Sequence, residues 1–314
     1  LTIGTGGSAG RIGPVVEIGT GLADLIAKKM DYSVEVYQTI LGCGAAAGIS
    51  AIFNAPIGGI VFVMEVLFRE LKLQRLTLVI VSAISADVLV KNIFKVDPIF
   101  TLPSFIIKSS WEYIFFIILG MIMGIIGFLF VKSLFLISNY IENINLSLWI
   151  KPTLGGLIVG ISAYYFPKIL GTGIDITNEI LLNKHSIHFL LILIVLKFLM
   201  TIITLSSGGS GGIFAPTLMI GGLSGVVFAF FAKVFFPNII ASTASYGIIG
   251  MAAAFSGMSQ APLTAALIIF ELTGDYNIIV PLLLASVMAS TVYNKLLSDS
   301  VYSPNLFKRL KDKS

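Results

Sequence analysis

Gly208-Gly-Ser-Gly-Gly-Ile-Phe-Ala-Pro216 opens a stretch, residues 208–224 (GGSGGIFAPTLMIGGLS), that has a counterpart at residues 6–22 (GGSAGRIGPVVEIGTGL). Glycines coincide at 6/208, 7/209, 10/212 and 19/221, serines at 8/210 and prolines at 14/216. A second pair lies downstream of the first. GAAAGISAIFNAP (44–56), followed by IGGIVFVME, aligns with GMAAAFSGMSQAP (250–262), followed by LTAALIIFE, so that Pro56 meets Pro262 and Glu65 meets Glu271. Intervals of 202 and 206 residues between the copies indicate one duplicated unit. In a membrane chain, segments interrupted by Gly and Pro at corresponding positions point to a transport site between the repeats.

The chain is a membrane chain by composition. Of its 314 residues 56% are apolar and 11% charged, and residues 234–270 contain no Asp, Glu, Lys or Arg. The mean hydropathy is +0.98. An ordinary soluble domain is excluded, and an all-α polytopic membrane protein is expected, because only helices satisfy their own backbone in lipid. The net charge of +4 sits in loops and the tail (Lys28, Lys29, Arg69 to Arg75, Lys308 to Lys313). That pattern reads as basic flanks of membrane spans and not as a nucleic-acid surface. The single cysteine, Cys43, lies in an apolar run and reads as a packed thiol.

The spacing predicts a helix from Pro14 to Met30, a small-residue helix over 36–52, one from Pro56 to Leu71 and a span over 76–97. A long helix over 111–144 carries Gly120-x-x-x-Gly124, and a span over 152–166 carries Gly156-x-x-x-Gly160; both motifs predict close helix packing. A short amphipathic helix is expected at 174–183, followed by spans or helices at 186–206, 216–236, 243–258, 262–273 and 277–297. Ten or eleven membrane helices are expected in all, several shorter than the roughly 20 residues of a clean span. Residues 1–110 form a first inverted repeat, 111–300 a second, and 301–314 a short amphipathic basic tail. The second copy of the motif follows four helical elements and the first follows five residues, so the first repeat reads as incomplete at its amino end.

The duplicated glycine loops have a physical use. The first amides of a helix lack an intrahelical partner, and the macrodipole puts partial positive charge there. Glycine leaves those amides unscreened, so two such ends brought together make an anion site that needs no buried cation. A conducted ion must also leave, which favours such modest attraction. Ser8 and Ser210 sit in hydrolase-like glycine contexts, yet the only histidines, His185 and His188, sit together at the mouth of one span, and a catalytic reading fails on the missing triad. No enzyme activity is expected.

These residues resemble the CLC family of chloride channels and chloride/proton antiporters. GSAGRIGP is similar to the family's G-K/R-E-G-P motif, GGIFAP to its G-x-F-x-P motif, and Val301-Tyr302-Ser303 to its late tyrosine; FNAPIGGIVFVMEV, FPKILGTGID and ELTGDYNIIVPLLLAS are further similar stretches. The resemblance implies a homodimer in the lipid bilayer, each subunit an inverted repeat with its own anion pathway, with chloride as the transported ligand and no cofactor. It implies anion contacts from Ile213, Phe214 and Ala215, from Arg11, Ile12 and Gly13, and from the Tyr302 hydroxyl. A prokaryotic plasma membrane is the expected location.

Two departures decide the expected mode. Ile12 stands at the position of the family's gating glutamate, and Val66 stands at the inner proton-relay position; a register shift of one would instead put Glu65 there. Glu65 matches Glu271 in the other repeat, which favours a shared structural role such as accepting backbone amides. With neither acid present, voltage-driven passive chloride transport is expected. A proton-coupled antiporter using another acid, and a non-conducting subunit, stay open. Glu17, Asp24 and Asp87 are carboxylates in apolar surroundings, and no proton role is assigned to them.

Overall fold

Backbone groups in an apolar medium must pair within their own segment, and this chain meets that demand with helices. The computed structural model describes residues 2–30, 32–68, 73–94, 105–147, 149–182 and 185–297. Among them are twelve α-helices, and the one β-type pairing is an isolated antiparallel bridge between Gly10 and Gly212. The helices are α1 Ile12–Ala27, α2 Val34–Phe53, α3 Pro56–Phe62, α4 Leu73–Leu89, α5 Glu112–Asn143 and α6 Ile150–Tyr165. They continue as α7 Ile174–Leu182, α8 Ile187–Ser206, α9 Phe214–Phe235, α10 Thr243–Ser259, α11 Pro262–Thr273 and α12 Ile279–Leu296.

Among the described residues six helices are long and apolar enough to cross a membrane unaided, and the others of the ten or eleven expected are shorter, as the sequence allowed. The difference lies in length. Helices α1 and α6 have 16 residues each and α10 has 17, against the roughly 20 that a perpendicular span needs. Proline placement also differs from expectation. Pro56 and Pro262 open their helices as expected. Helices α1 and α9 instead begin two residues before Pro14 and Pro216, which is tolerated because the first turn asks for no N–H. The helix expected from Pro56 to Leu71 changes to a π-helical segment at Val63–Phe68, and α4 does the same at Val90–Phe94.

The repeats are legible in the packing. Gly19 faces Gly44 between α1 and α2, and Gly221 faces Gly250 between α9 and α10; a Cβ on any of the four would overlap the opposite backbone. The Ser50 hydroxyl donates to the Ala83 carbonyl at 2.6 Å, tying α2 to α4, and the Ser256 hydroxyl donates to the Ser286 carbonyl at 2.6 Å, tying α10 to α12. Asn54 and Gln260, which end α2 and α10, both adopt left-handed backbone at φ 56° and 60°. Such matched contacts place the same tertiary unit in both halves.

Gly120 and Gly124 pack α5 onto the Ala285 and Ala289 backbone of α12, as their spacing predicts. Gly156 and Gly160 do not pack: a Cβ on either meets nothing within 4 Å, and the close neighbour of α6 is Gly155, set against Ser207. The four-residue spacing is right for a contact stripe, but the stripe on α6 runs one residue away. Among the described residues two ionisable side chains are fully buried and satisfied by backbone. Glu112 accepts the amides of Lys108 (2.6 Å), Ser109 (3.4 Å) and Ala241 (3.3 Å), pinning the start of α5 to the approach of α10. Lys197 donates to the carbonyls of Ile169 (3.0 Å) and Gly171 (2.7 Å), fastening the turn before α7 to α8.

The glycine contacts predict opposite outcomes for two alanine substitutions. Gly221→Ala should destabilise the protein by about 1–3 kcal/mol through overpacking. Gly156→Ala, in open space on a helix, should be neutral or stabilising by up to about 1 kcal/mol. Thermal unfolding midpoints of the detergent-solubilised variants separate the two.

Candidate functional site

Helices α1 and α9 begin beside each other. The first four N–H groups of a helix have no partner inside it. In α1 they belong to Arg11, Ile12 and Gly13, with Pro14 removing the fourth; in α9 they belong to Ile213, Phe214 and Ala215, with Pro216 removing the fourth. The first helical bonds follow, Val15 to the Arg11 carbonyl at 3.2 Å and Thr217 to the Ile213 carbonyl at 3.0 Å. The three amides before each proline meet no acceptor among the described residues.

The bridge holds the two starts together. The Gly10 amide donates to the Gly212 carbonyl at 2.6 Å, and the Gly212 amide donates to the Gly10 carbonyl at 2.7 Å. A contact that exchanges the same groups in both directions is what a two-fold axis between equivalent units produces. Glycine is required here, because a Cβ on Gly212 would lie 2.7 Å from the Gly13 nitrogen and one on Gly10 would lie 3.0 Å from the Gly212 oxygen. The Phe214 ring fixes the start of α9, packing at 4.7 Å from Phe53 and 3.9 Å from Phe255 between ring centroids.

A cavity of about 430 Å³ opens at these starts. Ile12, Gly13, Val16 and Glu17 line it from one face of α1, Gly212, Ile213 and Phe214 from the start of α9, and Val66 from the π-helical segment. The structure therefore brings Ile12, Gly13, Ile213, Phe214 and Val66 into one space. Ala215 is buried beside it without lining it, its nitrogen 3.2 Å from where a Gly10 Cβ would stand. Arg11 is exposed and turns to a separate cavity of about 670 Å³ shared with Lys168, Asp175 and Glu179. There Lys168 donates to both Glu179 oxygens, at 2.8 and 2.6 Å, and holds that carboxyl below its usual range. Tyr302 lies outside the described residues.

Glu65 and Val66 are adjacent yet serve different neighbours. The Glu65 carboxylate leaves the cavity and accepts the Leu263 amide (3.1 Å), the Thr264 amide (2.8 Å) and the Thr264 hydroxyl (2.7 Å) at the start of α11. Glu271 reciprocates, accepting the Ile57 amide (3.0 Å) and the Gly58 amide (2.6 Å) at the start of α3. Each repeat thus caps a helix of the other, with carboxylate on the positive end of the dipole. The amide-binding role expected for this pair holds.

Ser8 is no nucleophile: it is fully buried, and its hydroxyl is hydrogen-bonded to that of Thr201 at 3.1 Å. Asp24 is paired with Lys28 and Asp87 with Lys91, each at 2.7 Å one turn along the same helix. Lys197 was passed over in the sequence, although a basic residue inside a span is a signal in its own right.

The arrangement offers unpaired amides and two helix dipoles to a small space with no cation among its described lining residues, which suits a small anion. A family model described as voltage gated chloride channel matches residues 1–294. Over 315 residues the chain is 31% identical to a protein of Ralstonia nicotianae described as a ClcB-like chloride channel, covering 99% of this chain and 73% of that one. It is 31% identical to the H(+)/Cl(-) exchange transporter ClcA of Vibrio cholerae, covering 99% and 68%. Among solved structures it is similar to a slow cyanobacterial Cl−/H+ antiporter, at 30% identity and a TM-score of 0.87, over 100% of this chain and 74% of that one.

The reciprocal caps predict the cost of removing one. Glu271→Ala strands the Ile57 and Gly58 amides and should destabilise the protein by about 1–2 kcal/mol, whereas Glu271→Gln, which retains an acceptor oxygen, should recover about half of that loss. Thermal unfolding in detergent measures both.

Proposed function

We propose that this chain, which belongs to the voltage gated chloride channel family, passes chloride down its electrochemical gradient through the cavity at the two helix starts, without proton coupling. One observation carries the reading. Ile12 and Val66 both line that cavity, and neither side chain can hold a proton. A coupled cycle needs a group that takes a proton and competes with the anion, and both positions where the family resemblance places such groups are hydrocarbon. The amides of Arg11, Ile12 and Gly13 and of Ile213, Phe214 and Ala215 are the proposed donors to chloride, joined by the Tyr302 hydroxyl. Such partial charges attract an anion without trapping it.

The protein is an integral, multi-pass membrane protein. Apolar side chains such as Val81, Ile84 and Val88 on α4 and Leu157 and Ile161 on α6 are exposed, as contact with lipid requires. Bacterial relatives accord with a plasma membrane. We take the working unit to be a homodimer, each subunit with its own pathway.

Proton exchange is the second reading, favoured by the exchange activities in the names of two of its relatives. Reconstitution in liposomes separates the two readings. Under a potassium diffusion potential the protein should move chloride with no accompanying proton flux; proton uptake driven by a chloride gradient alone would establish exchange instead. Ile12→Glu should slow chloride flux on the order of tenfold at neutral pH, the effect of a unit charge near the site at an intermediate dielectric. Flux unchanged by that substitution would place Ile12 away from the pathway.

A further inference from the structure

The walls of the cavity at the helix starts are almost wholly hydrocarbon. Apart from glycines and Glu17, every described lining residue is apolar, Ile12, Ile49, Phe62, Val66 and Phe214 among them. None of these apolar residues carries a hydroxyl, an amide or an imidazole. Hydroxyls close by in the chain are engaged elsewhere: that of Ser8 with Thr201, and that of Thr217, in the first turn of α9, with the Phe214 carbonyl at 2.6 Å. The described residues therefore offer an anion the amides before the two prolines and little else. The Tyr302 hydroxyl proposed above adds one neutral dipole and no charge.

We infer that this lining selects anions by how readily they give up water, so that thiocyanate and nitrate bind more tightly than chloride, and fluoride most weakly. The inference rests on the chloride reading above and adds a rank order to it. Taking a small ion out of water costs tens of kcal/mol, and the cost is greatest for the smallest ion. A site favours the small ion only where its own field replaces the lost water, as a cation or a ring of hydroxyls does. Here the field is weak: each helix start carries about half an elementary charge, spread over several amides. The extra attraction a small anion gains by closer approach then falls short of its extra dehydration cost. A large, polarisable anion loses less water and gains dispersion contacts with the walls.

Two features keep this ranking from being reversed. Size does not impose it, because about 430 Å³ of space admits linear thiocyanate and planar nitrate as readily as a halide. Ordered water does not mend the weak field either, since a held water needs two to four polar partners and these walls supply few. Glu17 is exposed, and its charge repels every monovalent anion by the same law, which leaves their order unchanged. Ile12 and Val66 are the specificity-determining side chains, because each puts hydrocarbon on the wall where a hydroxyl would stand in for water.

The test is calorimetry on the full chain in detergent, titrated with the sodium salts of thiocyanate, nitrate, chloride and fluoride at one pH, with ionic strength held constant by gluconate. Thiocyanate should bind on the order of tenfold tighter than chloride, with nitrate between them and fluoride weakest. Saturating chloride should displace thiocyanate, which places both in one site. Val66→Thr and Ile12→Ser each add a hydroxyl to the wall and should narrow the thiocyanate-to-chloride ratio about threefold, the effect of one hydrogen bond to the smaller ion. Chloride or fluoride binding as tightly as thiocyanate, or tighter, overturns the inference and leaves the chloride pathway standing. Thiocyanate that chloride cannot displace does the same, as does a ratio unchanged in both variants. Absence of binding by all four anions overturns the inference and the pathway together. Where one variant fails to elute as a folded species, the other decides, and the ranking itself is read on the unaltered protein.

Discussion

The structure depends on keeping two helix starts unpaired and adjacent inside an apolar protein. An amide without a partner in such surroundings costs several kcal/mol, so a fold cannot leave three of them at each of two neighbouring sites without purpose or support. The support is the Gly10–Gly212 exchange, which consumes the last amide before each start and locks the two loops against each other. Side chains at Gly10, Gly13 or Gly212 would push the loops apart, each meeting backbone of the opposite loop at 3.0 Å or less. The prolines then trim each start by one donor and fix its first turn. What remains is a paired set of donors whose number and direction come from backbone geometry and owe nothing to a charged side chain.

The same reciprocity recurs further out. Glu65 caps α11 and Glu271 caps α3, so neither short helix has its amino end satisfied by its own repeat. Gly19 with Gly44 and Gly221 with Gly250 set the helix pairs that carry α1 and α9 at backbone contact distance. These contacts form a hierarchy. Close helix pairs orient each start, the glutamates fasten one repeat to the other, and the glycine bridge closes the centre. A half alone would leave unpaired amides on α3 or α11 and an open loop at residues 10 or 212.

Much of this was legible in the sequence because it is repeated there. The register of glycines and prolines located both helix starts, and the pairing of Glu65 with Glu271 announced a common structural duty. Pro56 and Pro262 marked helix starts correctly because each follows a residue that ends the previous helix in left-handed backbone. Other features were not legible. Gly156 and Gly160 have the spacing of a contact stripe, but the neighbour that decides which face of α6 packs is Ser207, far along the chain. Pro14 and Pro216 look like first residues, yet the first turn accommodates proline at its third position equally well. The choice between Glu65 and Val66 for the cavity turned on a π-helical segment that widens the turn at Val63–Phe68, and local composition gives no sign of it. Tyr302 rests on resemblance alone and lies outside the described residues.

Several carboxylates on these helices are tied to partners: to a basic side chain (Asp24, Asp87, Glu179, Glu35) or to backbone amides (Glu65, Glu271, Glu112). Both uses fix the charge in place. Glu17 lines the cavity at the helix starts but is exposed, and Ile12 and Val66 put hydrocarbon at the neighbouring positions. The pull on an anion there comes from backbone amides and helix dipoles, so its strength is set by how closely the two loops hold the helix starts together.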